Sequence, residues 1–183
     1  TIDRASSSFT HIVEFYINNT YYEKFENIAE SKEFTIPDSW YGYMSSSTEC
    51  KAYCRITTYN GDAQIGDKVT KQFTVKVPSG NAPTIGTISL IPEAISGNNI
   101  LVKDQNTLTI KVTGCAATDG STIKSYTFSG PSISKTISSS AGEYSVSIGI
   151  VSNIGTLTYK ITVTDSRGRS ASKTQAIVCY DYY

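Results

Sequence analysis

Apolar and polar positions alternate with period two along most of the chain, the signature of half-buried β-strands. The clearest run is residues 158–164, where Tyr159, Ile161 and Val163 alternate with Thr158, Lys160, Thr162 and Thr164. Asp165-Ser166-Arg167-Gly168-Arg169 then breaks the pattern and predicts a turn, since Asp and Ser bond local backbone and Gly168 tolerates positive φ. The return run, residues 170–180, is polar at first and apolar at its end, with Ala176, Val178 and Tyr180 on one face and Ile177 and Cys179 on the other. A bulge, or burial of both faces near the end, is the expectation there. A hairpin of this length needs a second layer to cover its apolar face.

The same outline occurs earlier, at residues 50–77. Cys50, Ala52, Cys54 and Ile56 share one face of a strand, Asn60-Gly61 marks a turn, and residues 68–77 return with Val69, Phe73, Val75 and Val77 apolar after a loop reaching Gly66-Asp67. Before it, residues 9–17 (FTHIVEFYI) read as a strand, Asn18-Asn19-Thr20 as a turn and residues 21–25 as the return. Residues 33–36 predict a short strand ended by Pro37, and residues 38–47 (DSWYGYMSSS) one helical turn or an irregular crossover.

Pro78-Ser79-Gly80-Asn81-Ala82-Pro83 is the sharpest break and reads as a short, semi-rigid linker. Beyond it, strands are predicted at residues 84–90, 107–113, 123–128, 133–137 and 143–150, followed by the closing hairpin. About seven short strands in about 100 residues is the count of an immunoglobulin-like sandwich. The predicted fold is therefore all-β, two tandem immunoglobulin-like β-sandwich domains: residues 1–80 form a trimmed first sandwich and residues 81–183 a second.

Composition narrows the function. Lys and Arg total 16 and balance 16 Asp and Glu, so no basic field exists to attract nucleic acid or an anionic membrane surface. Ser and Thr make up roughly a quarter of the chain, and Thr, Tyr, Val and Ile outweigh Leu and Ala, a β composition. No apolar run has the length of a signal or a membrane span. The chain begins at Thr1 within a linker-like stretch, and the expectation is a piece of a longer protein.

Candidate chemistry is sparse. His11 is the single histidine, mid-strand and without a nucleophile elbow, so no catalytic residue is assigned and no enzyme is expected. Asp62, Asp67, Asp104, Asp119 and Asp165 fall in turns, which explains them without a paired-carboxylate site. A calcium ion bridging acidic loops near the linker is the alternative; no metal site and no cofactor are assigned. Cys50 and Cys54 lie about 13 Å apart at strand rise, too far to bridge. Free buried thiols are the expectation for the four cysteines, with a Cys115–Cys179 bridge as the alternative.

One feature has binding potential. Tyr16, Tyr21, Tyr22, Phe25, Trp40, Tyr41 and Tyr43 all fall in the first unit. Core packing is the default for such a cluster, and a protein contact or a saccharide site the alternatives. For the saccharide site, Trp40, Tyr41 and Tyr43 are the candidate platform.

Several phrases coincide with a known family. Ile2-Asp3-Arg4-Ala5-Ser6-Ser7, Phe34-Thr35-Ile36-Pro37, the run AYCRITTYNG over residues 52–61, Ile65-Gly66 and FTVKVP over residues 73–78 together resemble a repeated segment of siphovirus minor structural and tail-tip proteins. The closing VTDSRGRSA, residues 163–171, and Tyr180-Asp181-Tyr182-Tyr183 resemble the end of such a segment. The resemblance implies a virion component of the tail of a phage of Gram-positive hosts, acting as a spacer or a host-surface attachment element. Its implied partners are other tail proteins or further domains of the same chain, with host cell-wall polysaccharide as a further candidate. The rival readings are a carbohydrate-binding module in the first domain and a bacterial immunoglobulin-like adhesin on an extracellular surface.

Overall fold

A computed structural model describes residues 2 and 5–181. Asp3 and Arg4 of the linker-like start, and the closing Tyr182-Tyr183, lie outside the described residues. The chain is all-β and divides between Pro78 and Ser79 into two compact units. No helix among the described residues is long and apolar enough to cross a membrane.

The first unit holds four strands: β1 (Phe9–Ile17), β2 (Thr20–Ile28), β3 (Glu49–Asn60) and β4 (Ala63–Lys76). They form one antiparallel sheet in the order β2-β1-β3-β4. Asn18 and Asn19 both take positive φ, 46° and 63°, the two-residue turn whose twist matches a hairpin. The Asn60-Gly61 signal gives a turn equally tight, with Asn60 opposite Ala63, so β4 begins where the sequence predicts a loop. The surplus residues are absorbed inside the strand. Register slips between the pairs Ile56–Val69 and Thr58–Ile65, where Gly66 stands at φ 65°.

The second layer of this unit is chain, not strand. Between β2 and β3 the predicted strand at 33–36 is unpaired, and a 3-10 helix spans Asp38–Met44. The short immunoglobulin-like sandwich expected over residues 1–80 is thus a sheet closed by this crossover. A crossover offers few side chains, so each that points inward is large. Trp40 and Met44 of the helix are buried against Val13, Phe15, Ile17, Ala52, Val75 and Val77. Phe34 stacks on Phe15 with centroids 4.2 Å apart, and Trp40 meets Tyr22 edge-on at 5.1 Å.

The second unit is an immunoglobulin-like sandwich. Its strands are β5 (Thr87–Pro92), β6 (Leu101–Val102), β7 (Thr107–Thr113), β8 (Ile123–Gly130), β9 (Ile133–Ser138), β10 (Tyr144–Ile150), β11 (Gly155–Asp165) and β12 (Ser170–Tyr180). A three-stranded sheet, β10-β7-β5, faces a five-stranded one, β6-β12-β11-β8-β9. The core lies between them: Leu108, Ile110 and Val112 from β7 against Tyr126, Phe128, Tyr159, Ile161 and Val163.

The closing hairpin lacks the bulge its return strand suggests. β11 and β12 pair without a slip from Gly155–Cys179 to Thr164–Ser170. Ile177 and Cys179 face the core, while Val178 and Tyr180 are exposed. The polar half of β12 is an exposed edge, since β6 pairs with the strand only at Cys179 and Tyr180, and there the Lys173 ammonium donates to the Gly86 carbonyl 2.5 Å away. Asn106, buried, holds the turn into β7: its side-chain carbonyl accepts from Val102 N at 2.9 Å, and its amide donates to the Glu93 and Ile100 carbonyls at 2.6 and 2.7 Å.

Candidate functional site

The first sheet has one face turned to its core and one turned away, and parity assigns each side chain. His11, Val13, Phe15 and Ile17 of β1 point inward. Thr10, Ile12, Glu14 and Tyr16 therefore point outward. Across the β1–β3 ladder these four oppose Tyr59, Thr57, Arg55 and Tyr53. The outer face thus carries Tyr16 beside Tyr53, and Glu14 beside Arg55.

At the end of this face nearest the Asn18-Asn19 turn, Tyr16, Asn19, Tyr53, Arg55 and Thr70 line a groove of about 340 Å³. The Arg55 guanidinium lies over the Tyr16 ring, 4.5 Å from its centroid. Tyr21, opposite Tyr16 on β2, meets that ring edge-on at 5.7 Å. Glu14, cross-strand from Arg55, is instead 3.7 Å from the Lys68 ammonium. At the other end of the face, Thr10, Ile12, Glu26, Asn27, Tyr59, Gly61 and Asp62 line a second depression of about 250 Å³. The first groove pairs aromatic rings with a cation; the second carries two carboxylates.

The candidate platform Trp40-Tyr41-Tyr43 is corrected by the structure. Trp40 is 0% exposed, enclosed by Tyr22, Phe34 and the inner face of the sheet. A sugar needs an open ring face, and Trp40 has none. Tyr41 is half-buried against the same core, and only Tyr43, at 42% exposure, reaches solvent. Within the wider aromatic cluster, Tyr22 and Phe25 also pack on the core, while Tyr16 and Tyr21 are outward. Tyr53 and Arg55 escaped the sequence reading. The signal was present: Ala52, Cys54 and Ile56 face inward, so Tyr53 and Arg55 must face out.

Other groups that could carry chemistry are held in structural bonds. His11 is buried on the inner face, its Nδ1 3.0 Å from the Thr58 hydroxyl. Cys50, Cys54, Cys115 and Cys179 are free, so the Cys115–Cys179 bridge does not form. Burial pushes the thiols of Cys50, Cys54 and Cys179 upward, away from the reactive thiolate.

The loops at the start of the second unit are organised by arginine. Asp165, fully buried, accepts the backbone N–H of Arg167 at 3.0 Å and of Arg169 at 2.8 Å, and the Ser121 hydroxyl at 3.2 Å. The Arg167 guanidinium donates to the carbonyls of Thr118, at 2.9 Å, and Asp119. Arg169 donates to the Asn81 carbonyl at 3.0 Å, and the Asn81 side-chain amide donates to the Asp119 carboxylate. Guanidinium groups thus occupy the place where the calcium alternative would put an ion. No group of three or more metal-ligating side chains occurs among the described residues.

No curated protein matches the chain. Among solved structures, fibronectin(III)-like modules of Clostridium thermocellum CbhA align at 15% identity and a TM-score of 0.40, covering 99% of this chain and 83% of theirs. The family described as "Siphovirus protein of unknown function (DUF859)" matches residues 1–183, and the chain belongs to it.

Proposed function

We propose that the chain is a non-enzymatic structural module of the siphovirus tail, serving as a spacer that also contributes to attachment at the host surface. The observation that supports this most is where the buried polar groups go. Asp165, Arg167 and Asn106 each end in hydrogen bonds that fasten a loop to a sheet. Buried polar side chains spent this way hold shape. Family membership favours the virion over a bacterial surface adhesin. The partners on this reading are other tail proteins or further domains of the same chain.

Antibody raised against the purified chain, applied to intact virions and viewed by electron microscopy, tests the reading. Label on the tail supports it. Label confined to the capsid, or product released when the chain is incubated with host-wall glycans, overturns it.

A further inference from the structure

We infer that the groove of Tyr16, Tyr53 and Arg55 on the outer face of the first sheet binds a saccharide unit carrying an anionic group, a carboxylate or a phosphate. This deepens the attachment half of the proposed function and rests on it.

Arg55 is the cation of this groove. Stacking over Tyr16 fixes the guanidinium without using its N–H donors, because the cation meets the ring through its face. No protein acceptor among the described residues takes a hydrogen bond from it. A planar fork held in this way is suited to a carboxylate or a phosphate, which accept two parallel N–H bonds. The nearest cross-strand carboxylate, Glu14, is drawn to Lys68 and so does not fill the fork.

Around this cation stand groups that suit the rest of a sugar. Tyr53 is cross-strand from Tyr16 and half-buried, giving a ring wall against which the apolar face of a pyranose can stack. The Thr70 hydroxyl and the Asn19 amide are exposed at the rim and supply a donor and acceptors for hydroxyl groups. The volume, about 340 Å³, lies at the small end of ligand sites and suits one or two sugar rings. The second depression on the same face makes the contrast. It has a tyrosine too, Tyr59, but Glu26 and Asp62 beside it would repel an anion.

The test uses the purified full chain and three probes followed by titration calorimetry: trigalacturonate, glucose 1-phosphate and neutral maltotriose. Saturable binding of trigalacturonate, of glucose 1-phosphate or of both is expected, at least tenfold tighter than maltotriose and weaker at high salt. The pattern of the two anionic probes tells whether carboxylate or phosphate is the group recognised. Arg55→Gln should weaken the anionic probes by roughly tenfold or more. Arg55→Lys, which keeps the charge and loses the fork, should fall between. Tyr59→Ala, in the acidic depression, should change nothing. Binding of neither anionic probe, equal binding of maltotriose, or anionic binding indifferent to Arg55→Gln overturns the inference. Should Arg55→Gln not fold, the comparison of charged and neutral probes on the unaltered chain decides. Virion labelling is unaffected by any of these outcomes, so the site and the tail assignment fail separately.

Discussion

The two units solve one packing problem differently. In the second, two sheets face each other: Leu108, Ile110 and Val112 of one sheet meet Tyr126, Phe128, Tyr159, Ile161 and Val163 of the other, so its three central aromatics come from regular strands. In the first, a single sheet meets a crossover with a short 3-10 helix, and the covering layer has few residues to offer. Aromatics close the core: Trp40, Phe34, Phe15 and Tyr22 interlock through stacked and edge-on contacts. Aromatic residues of the first unit therefore seal a core on one face of the sheet and line an open groove on the other. Which face a residue occupies, rather than its type, decides between the two.

The largest effect expected from this contrast is at Trp40. Trp40→Ala should cost about 3–5 kcal/mol, since the crossover has nothing else of that size to place there. Chemical denaturation of the isolated first unit and of the full chain measures it, and a loss below about 1 kcal/mol would break the contrast. In the second unit the comparable point is a polar one. Asp165→Ala should cost about 3 kcal/mol, because the backbone N–H groups of Arg167 and Arg169 lose their buried acceptor. Proteolysis of the loop around residues 118–121 should accelerate in the same variant.

A smaller loss is expected at the end of β8, where Gly130 lies against its neighbour β11 in the same sheet. A Cβ at Gly130 would lie 2.6 Å from the Tyr159 ring, so Gly130→Ala should cost about 1–3 kcal/mol by thermal melting. Alkaline titration sharpens the comparison without mutation. Burial, helped by Cys115 in one case and Cys179 in the other, pushes the phenols of Tyr126 and Tyr159 above their ordinary value of about 10. The unfolded chain then ionises first. The stability these two phenols contribute is present below pH about 10 and is lost as pH rises toward their folded values. Phenolate absorbance should show them titrating late, and together with unfolding of the second unit. The smallest effect is at Tyr43, outside the core. Tyr43→Ala should shift stability by no more than about 0.5 kcal/mol.

Much of this was legible in the residues, and the failures share a cause. The β11–β12 hairpin and the Asn18-Asn19 turn are local patterns, and each appears where alternation and turn chemistry place it. What alternation does not reveal is what lies opposite a strand. Residues 33–36 have the look of a strand, yet they pack Phe34 and Ile36 inward from unpaired backbone. The loop expected after Asn60-Gly61 is strand because a slip in register takes up its extra residues. Trp40 was drawn into a binding platform by its neighbours in sequence. Tyr53 and Arg55, which line the outer groove, are separated from Tyr16 by more than thirty residues and meet it only across the sheet. Pairing of β1 with β3 is a tertiary fact, and no local window contains it.

That aromatic side chains of the crossover seal the inner face of the first sheet turns on one residue that can be read directly, because the chain has a single tryptophan. Quenching of its fluorescence by acrylamide and iodide, in the folded protein and in denaturant, measures how open Trp40 is. Blue-shifted emission with weak quenching in the folded state, turning red and readily quenched on unfolding, is the predicted result. Red-shifted emission quenched as freely in the folded state as in denaturant would contradict the account.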